Sequence, residues 1–137
     1  MSTSAIVLAG GKGTRLESDL PKPLQTLGGR TLLDWTLLNL SYLTLEQKIV
    51  VVGWMANEVI NKTRGFEVEW VIQPKQTGNA DALSFGLTKL SNKVDTILVV
   101  QADDSAFYRS ETLSGFLDFH CSESAIVSLM TVKKIEK

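Results

Sequence analysis

The side chains best suited to chemistry cluster near the start of the chain. Gly10, Gly11 and Gly13 fall within four residues, and Arg15 and Lys22 follow closely. Glycine permits positive φ and lets backbone N–H groups come close to a ligand, so such a turn can wrap a phosphate chain with amides. Arg15 and Lys22 add two cations within reach of the same place. The chemistry this suits is anion binding. The alternative is a glycine-rich loop with incidental surface cations. Spacing excludes two other glycine patterns. G-x-G-x-x-G fails because the third glycine position after Gly11 and Gly13 holds Leu16. G-x-x-x-x-G-K-[ST] fails because the pair Gly11-Lys12 is followed by Gly13.

Two further stretches carry polar groups. Gln73-Pro74-Lys75-Gln76-Thr77-Gly78-Asn79 offers two glutamines, each with a donor and an acceptor, as reading a nucleobase edge requires. Gly78 allows close backbone approach ahead of a helix that Asn79 can cap; an Asn-capped helix after a polar loop is the alternative. Asp103-Asp104 follows an apolar run, and carboxylates at a strand end suit a hard cation such as Mg²⁺ held against phosphate oxygens. Paired Asp is also common turn chemistry. His120 and Cys121 are adjacent, but one of each makes no metal set, and nothing suggests a Ser-His-Asp triad. Trp35, Trp54 and Trp70 read as packing residues, with Trp54 placed at a strand end.

The elements that must position these groups alternate. Ala5–Ala9 is a short continuous apolar run, as expected of a strand buried on both faces. Gly28-Gly29 marks a turn, and a helix is expected from Arg30 to about Tyr42. Residues 48–52 read as a second buried strand ended by Gly53, and 55–63 as a short helix with Gly65 as its stop. Phe66–Gln73 alternates, with Phe66, Val68, Trp70 and Ile72 on one side. A helix at 79–90, a fourth strand at 95–100 with Ile97–Val100 as its buried run, a helix at 110–121 and a last strand at 125–132 complete the expectation. Such alternation implies right-handed crossovers and a three-layer αβα, Rossmann-like, mainly parallel sheet. Ligands bind such sheets beyond the carboxyl ends of the strands, where strand order reverses.

Composition narrows the function classes. The 137 residues suit one domain, and 44% hydrophobic with 21% charged residues is ordinary for a globular protein. A net charge of −1 leaves no electrostatic footprint for nucleic acid or an anionic membrane. One cysteine rules out an internal disulfide framework and suits a reducing cytosol. No apolar run approaches the ~18 residues of a membrane span. Met1–Ser4 leads into the first strand without a basic region, so no secretory leader is expected, and the reading is cytoplasmic.

Leu8-Ala9-Gly10-Gly11-Lys12-Gly13-Thr14-Arg15-Leu16 together with Pro21-Lys22-Pro23-Leu24 resembles the two-part signature of the sugar-phosphate nucleotidyltransferases, L-A-[GA]-G-x-G-T-R-[LM] and P-K-[PV]-L. The short spacer is most similar to that of N-acetylglucosamine-1-phosphate uridylyltransferases and related hexose-1-phosphate enzymes. The resemblance implies a fold of the GT-A type, here truncated to the nucleotide-binding half, so that residues 1–137 are the N-terminal part of a longer domain. It implies transfer of a nucleoside monophosphate from an NTP, with UTP or dTTP favoured, to a sugar 1-phosphate with release of pyrophosphate. Arg15 and Lys22 are the implied catalytic cations. Leu8, Ala9, Gly10, Gly11, Gly13 and Thr14 are implied to hold base and phosphates. Gln73, Gln76, Gly78 and Asn79 match a family stretch that contacts the base, with Asn79 in place of Thr. Asp103 is the implied Mg²⁺ ligand, with Asp104 beside it, although Ala102 and Ser105 depart from the family's G-D-x-P. The truncated edge of the sheet favours a second copy as partner. The alternatives are a non-catalytic nucleotide-binding module and transfer to a non-sugar phosphate acceptor.

Overall fold

The most apolar strands take the centre of the sheet because only there are both faces covered. In the computed structural model, which describes residues 1–91 and 93–133 and only the backbone of Leu16, β1 (Thr3–Ala9) lies between β4 (Lys48–Val52) and β6 (Thr96–Gln101). β5 (Glu69–Ile72) lies outside β4. The order β5-β4-β1-β6 is parallel throughout, with Val7 opposite Val50 on one side and Val100 on the other. Ile6, Val7 and Ile49 to Val52 are fully buried. A small antiparallel hairpin, β2 (Thr26–Leu27) and β3 (Arg30–Thr31), precedes the first helix. Its turn needs positive φ at both central positions, which Gly28 and Gly29 supply at 58° and 83°.

Among the described residues four helices cover the sheet. α1 (Leu32–Ser41) starts at Thr31, whose hydroxyl accepts from the Asp34 amide while the Asp34 carboxylate accepts from the Thr31 amide. α1, α2 (Ala56–Lys62) and α4 (Ser110–Ser122) pack on one face through Leu33, Leu37, Leu40, Val59 and Leu113. α3 (Asn79–Leu87) covers the other, over Ile6, Ile49, Val51 and Val71. It lies close because position 86 is glycine: a Cβ there would sit 2.7 Å from Ile6 Cγ2.

The expected α/β architecture is what the chain adopts, with four departures. The third strand pairs only over Glu69–Ile72; Phe66 and Val68 pack on the core ahead of the ladder, while Ile72 is exposed at the outer edge. α3 stops at Leu87, and its last expected turn is irregular. The expected buried run Ile97–Val100 alternates instead, Leu98 and Val100 inside, Ile97 and Val99 39% and 42% exposed. The cause is position: β6 ends the sheet among the described residues, and α3 lies over β1, β4 and β5. Residues 125–132 form no strand. Their β-forming residues lack a ladder partner, and after Ser124 in the left-handed region (φ 49°) they run over the surface with Ile126, Val127, Leu129 and Val132 exposed.

Candidate active site

Strand order reverses beside β1, since the chain first moves to β4 and later returns to the opposite side at β6. The crevice beyond the ends of β1 and β6 is therefore the expected ligand position. A cavity of about 720 Å³ opens there. The structure brings every residue implied above to hold substrate, metal or the reacting phosphates to its wall. Leu8, Ala9, Gly10, Gly11, Gly13, Thr14 and Arg15 come from β1 and the following loop, Lys22 from the next turn, Gln73, Gln76, Gly78 and Asn79 from the loop after β5, and Asp103 from the end of β6. Asp104, Gln101 and Ala82 also reach it.

The cationic wall is shaped by glycine. Gly13 adopts φ 66°, and a Cβ on it would lie 2.9 Å from the Lys22 Cβ, so only glycine lets the Lys22 turn close over the loop. That turn is anchored by buried Pro23 and Leu24. Lys22 Nζ donates to Asp103 Oδ2, joining residues 81 positions apart. Burial pushes the Asp103 carboxyl up, but the Lys22 hydrogen bond, the amides of Asp103 and Asp104 and the Lys22 charge outweigh it, holding it below the ordinary aspartate value. Arg15 stands exposed in a short 3-10 turn, Thr14–Leu16.

Asp103 is placed by a buried hydroxyl pair. Thr36 Oγ1 on α1 donates to the Ala102 carbonyl at 2.9 Å and lies 3.0 Å from Ser105 Oγ, which in turn donates to the Gln101 carbonyl. The Thr36 bond ties the end of β6 to α1, and the Ser105 bond ties the turn Asp104–Phe107 back to β6. Among the described residues no three His, Cys, Asp or Glu side chains gather as a metal set. Asp103 and Asp104 nevertheless have the oxygen chemistry that a hard divalent cation takes, one or two carboxylates with the rest of the shell supplied by other oxygens.

The wall formed by the loop after β5 is organised by Asp81, which the sequence did not single out. Gln73 is only 3% exposed. Its Nε2 donates to Asp81 Oδ2 at 2.8 Å and reaches the Gly78 carbonyl at 3.4 Å. Thr77 Oγ1 also donates to Asp81 Oδ2. Bonds from Thr77 and Gln73 hold the Asp81 carboxyl below its ordinary value. Gly78, not Asn79, is the helix cap, at φ 113°; Asn79 is the first helical residue, and its side chain makes no capping bond. The expected Asn cap is thus corrected: glycine tolerates the turn's backbone, which frees the Asn79 amide at the cavity wall. Gly53 does more than end β4: a Cβ there would lie 3.0 Å from the Gly10 carbonyl oxygen and 2.8 Å from Gln76 Nε2. Asp81 could have been sought from its place in the first turn after Gly78; Thr36 carries no signal in the sequence.

Other candidates do not line this cavity. Trp54 has Lys12 Nζ 5.4 Å from its ring centroid. Trp35 Nε1 donates to the Leu27 carbonyl, and Trp70 packs on the core. His120 Nδ1 pairs with Ser128 Oγ at 2.9 Å, outside the cavity.

A glycine loop, two cations and a strand-end carboxylate thus meet at the switch point of a parallel α/β sheet. The description MobA-like NTP transferase domain fits residues 5–134, and the chain belongs to that nucleotidyltransferase family. It is 32% identical over 133 residues to the bifunctional protein GlmU of Streptococcus uberis, covering 97% of this chain and 29% of that protein. It is 37% identical over 134 residues to the GlmU of Mycolicibacterium vanbaalenii, covering 93% and 27%. The chain thus spans less than a third of the length of these curated relatives. Among solved structures, Rv0371c of Mycobacterium tuberculosis superposes with a TM-score of 0.78 at 22% identity, over 88% of this chain and 61% of that one. The same protein is known in complex with manganese. A nucleotidyl transferase of Methanothermobacter superposes at 0.74 with 25% identity, over 85% and 57%.

Proposed function

We propose that the crevice binds a nucleoside triphosphate and that the chain is the nucleotide-binding part of an enzyme passing the nucleoside monophosphate to a sugar 1-phosphate. UTP and dTTP are the favoured donors, and the setting is cytoplasmic. The observation that supports this most is the meeting of Lys22, which packs against Gly13 of the glycine loop, with Asp103 at the end of β6, all lining one crevice. A phosphate-monoester oxygen attacks the α-phosphorus. The bond from that phosphorus to the oxygen bridging to the β-phosphate breaks, and pyrophosphate leaves with the electron pair. A phosphate monoester is largely a dianion at neutral pH, its second pKa being about 6, so no general base is required. The protein's task is alignment and charge neutralisation.

Amides of the glycine loop would hold the phosphates, and Arg15 would neutralise the leaving pyrophosphate. Lys22 would turn from Asp103 to the α-phosphate and the acceptor phosphate. Asp103, with Asp104 beside it, would hold a divalent cation, which supplies further positive charge to the phosphoryl oxygens when bound.

The test is calorimetric titration of the chain with UTP, dTTP, CTP, GTP and ATP in the presence of Mg²⁺, repeated on Arg15→Ala. One nucleotide should be preferred. Loss of Arg15's charge-assisted contacts should weaken it by about tenfold or more. A folded chain that binds no nucleotide, or an Arg15→Ala variant that binds as well as the parent, would refute the reading.

A further inference from the structure

Behind the cavity wall formed by Gln73 lies a pair of hydrogen-bonded side chains, Thr77 and Asp81, that do not themselves line the cavity. We infer that Asp81 is a positioning residue that locks the Gln73 side chain as a hydrogen-bond acceptor facing the cavity, and so selects nucleobases that present an N–H there. This inference rests on the nucleotide-binding reading above.

The orientation of an amide follows from its neighbours' chemistry. Gln73 Nε2 faces an Asp81 carboxylate oxygen at 2.8 Å and the Gly78 carbonyl at 3.4 Å. Both are acceptors, so only the NH₂ end of the amide fits there. With both N–H groups directed inward, Gln73 has nothing left to donate. Its Oε1 turns toward Gly10, where a Cβ on the glycine would lie 3.2 Å from it, and among the described residues it accepts no hydrogen bond. Both Gly10 and Gln73 line the cavity. Asp81 does not line it, and is itself fixed by the Thr77 hydroxyl.

A nearly buried acceptor discriminates because leaving it unpaired, or opposing it with a lone pair, is costly. Uracil, thymine and guanine carry an N–H at the middle of the Watson–Crick edge; cytosine and adenine carry a ring nitrogen lone pair there. A Gln73 amide free to rotate would serve either group. Held by Asp81, it serves only the first.

Two measurements test this on the whole chain. Calorimetry with UTP, GTP, CTP and ATP in Mg²⁺, against inorganic tripolyphosphate as the phosphate-only probe, gives the ratio of affinities between the two base classes. That ratio should favour UTP or GTP by about tenfold or more. In Asp81→Ala it should fall several-fold while tripolyphosphate binding stays unchanged, and in Asp81→Asn, which keeps an acceptor oxygen, most of it should persist. NMR of the side-chain amides supplies a nucleotide-free readout. The Gln73 Nε2 protons should exchange slowly with solvent in the parent and the Nε2 nitrogen should relax as a rigid group; in Asp81→Ala exchange should quicken and the amide should gain motion about its Cγ–Cδ bond. A freely rotating Gln73 amide in the parent overturns the inference, as does an unchanged ratio in folded Asp81→Ala. Absence of any nucleotide binding with the amide still locked would instead refute the nucleotide reading, and base selection with it.

Discussion

Replacing Asp103 with Asn should uncouple Lys22 from the end of β6, and the size and pH dependence of the effect follow from the pair's surroundings. The Asp103 side chain is 17% exposed and that of Lys22 is 40% exposed. Fully exposed pairs contribute about 0.2–1 kcal/mol, and stranding a buried partner costs about 3–5 kcal/mol. Lys22 retains enough exposure to stay hydrated when its partner is lost, so the cost should lie near the top of the exposed range, about 1 kcal/mol. For a domain of this size that is a fall of roughly 4 °C in Tm at neutral pH. The sign with pH is fixed by the direction of the shift. Asp103 is held below its ordinary value in the fold, so its contribution is complete above the unfolded value of about 3.9 and disappears as pH falls through the lower folded value. Thermal melts of both proteins from neutral to acid pH should therefore converge below about pH 4. A Tm gap that persists unchanged in acid, or no gap at neutral pH, would refute the account of the pair.

Two substitutions probe the supports of the site. Thr36→Val keeps shape but removes the hydroxyl bonded to the Ala102 carbonyl. It should cost about 1–3 kcal/mol in urea denaturation and weaken Mg²⁺-dependent nucleotide binding by loosening the turn that carries Asp103. Gly53→Ala places a Cβ 3.0 Å from the Gly10 carbonyl oxygen, which is backbone and cannot swing aside. The glycine loop should shift, with a stability loss of about 1–3 kcal/mol and weaker tripolyphosphate binding by calorimetry.

What could be read from the chain divides along local and non-local lines. The central strands are legible because Ile6–Val7 and Ile49–Val52 are apolar without interruption, a pattern that requires cover on both faces. The Gly10–Arg15 loop and Lys22 are legible because their types and spacing are local. Ile97 and Val99 have the composition of a buried run, but only the sheet order reveals that β6 has a half-open face. Residues 125–132 have strand composition, but a strand exists only where a ladder partner lies alongside. Thr36 reads as an ordinary polar residue within a helix; its role comes from the Ala102 carbonyl, 66 positions away. Asp81 reads as a favourable acid in a helix's first turn, and that local reason conceals its bond to Gln73.

The crevice gathers groups from residues 8–23, 73–82 and 101–104 because a parallel sheet delivers the carboxyl ends of its strands to one edge. That arrangement brings charges as well as backbone together. An ionised Asp103 standing alone would repel a triphosphate, and in the nucleotide-free chain Lys22 neutralises it. A phosphate oxygen competing for Lys22 must leave the carboxylate with another cationic partner, or pay for its desolvated charge. Nucleotide affinity should accordingly rise steeply with divalent cation in the parent chain and only weakly in Asp103→Asn, in which no anion has to be compensated. Equal cation dependence in the two proteins would mean that Lys22 does not leave Asp103 when phosphate arrives.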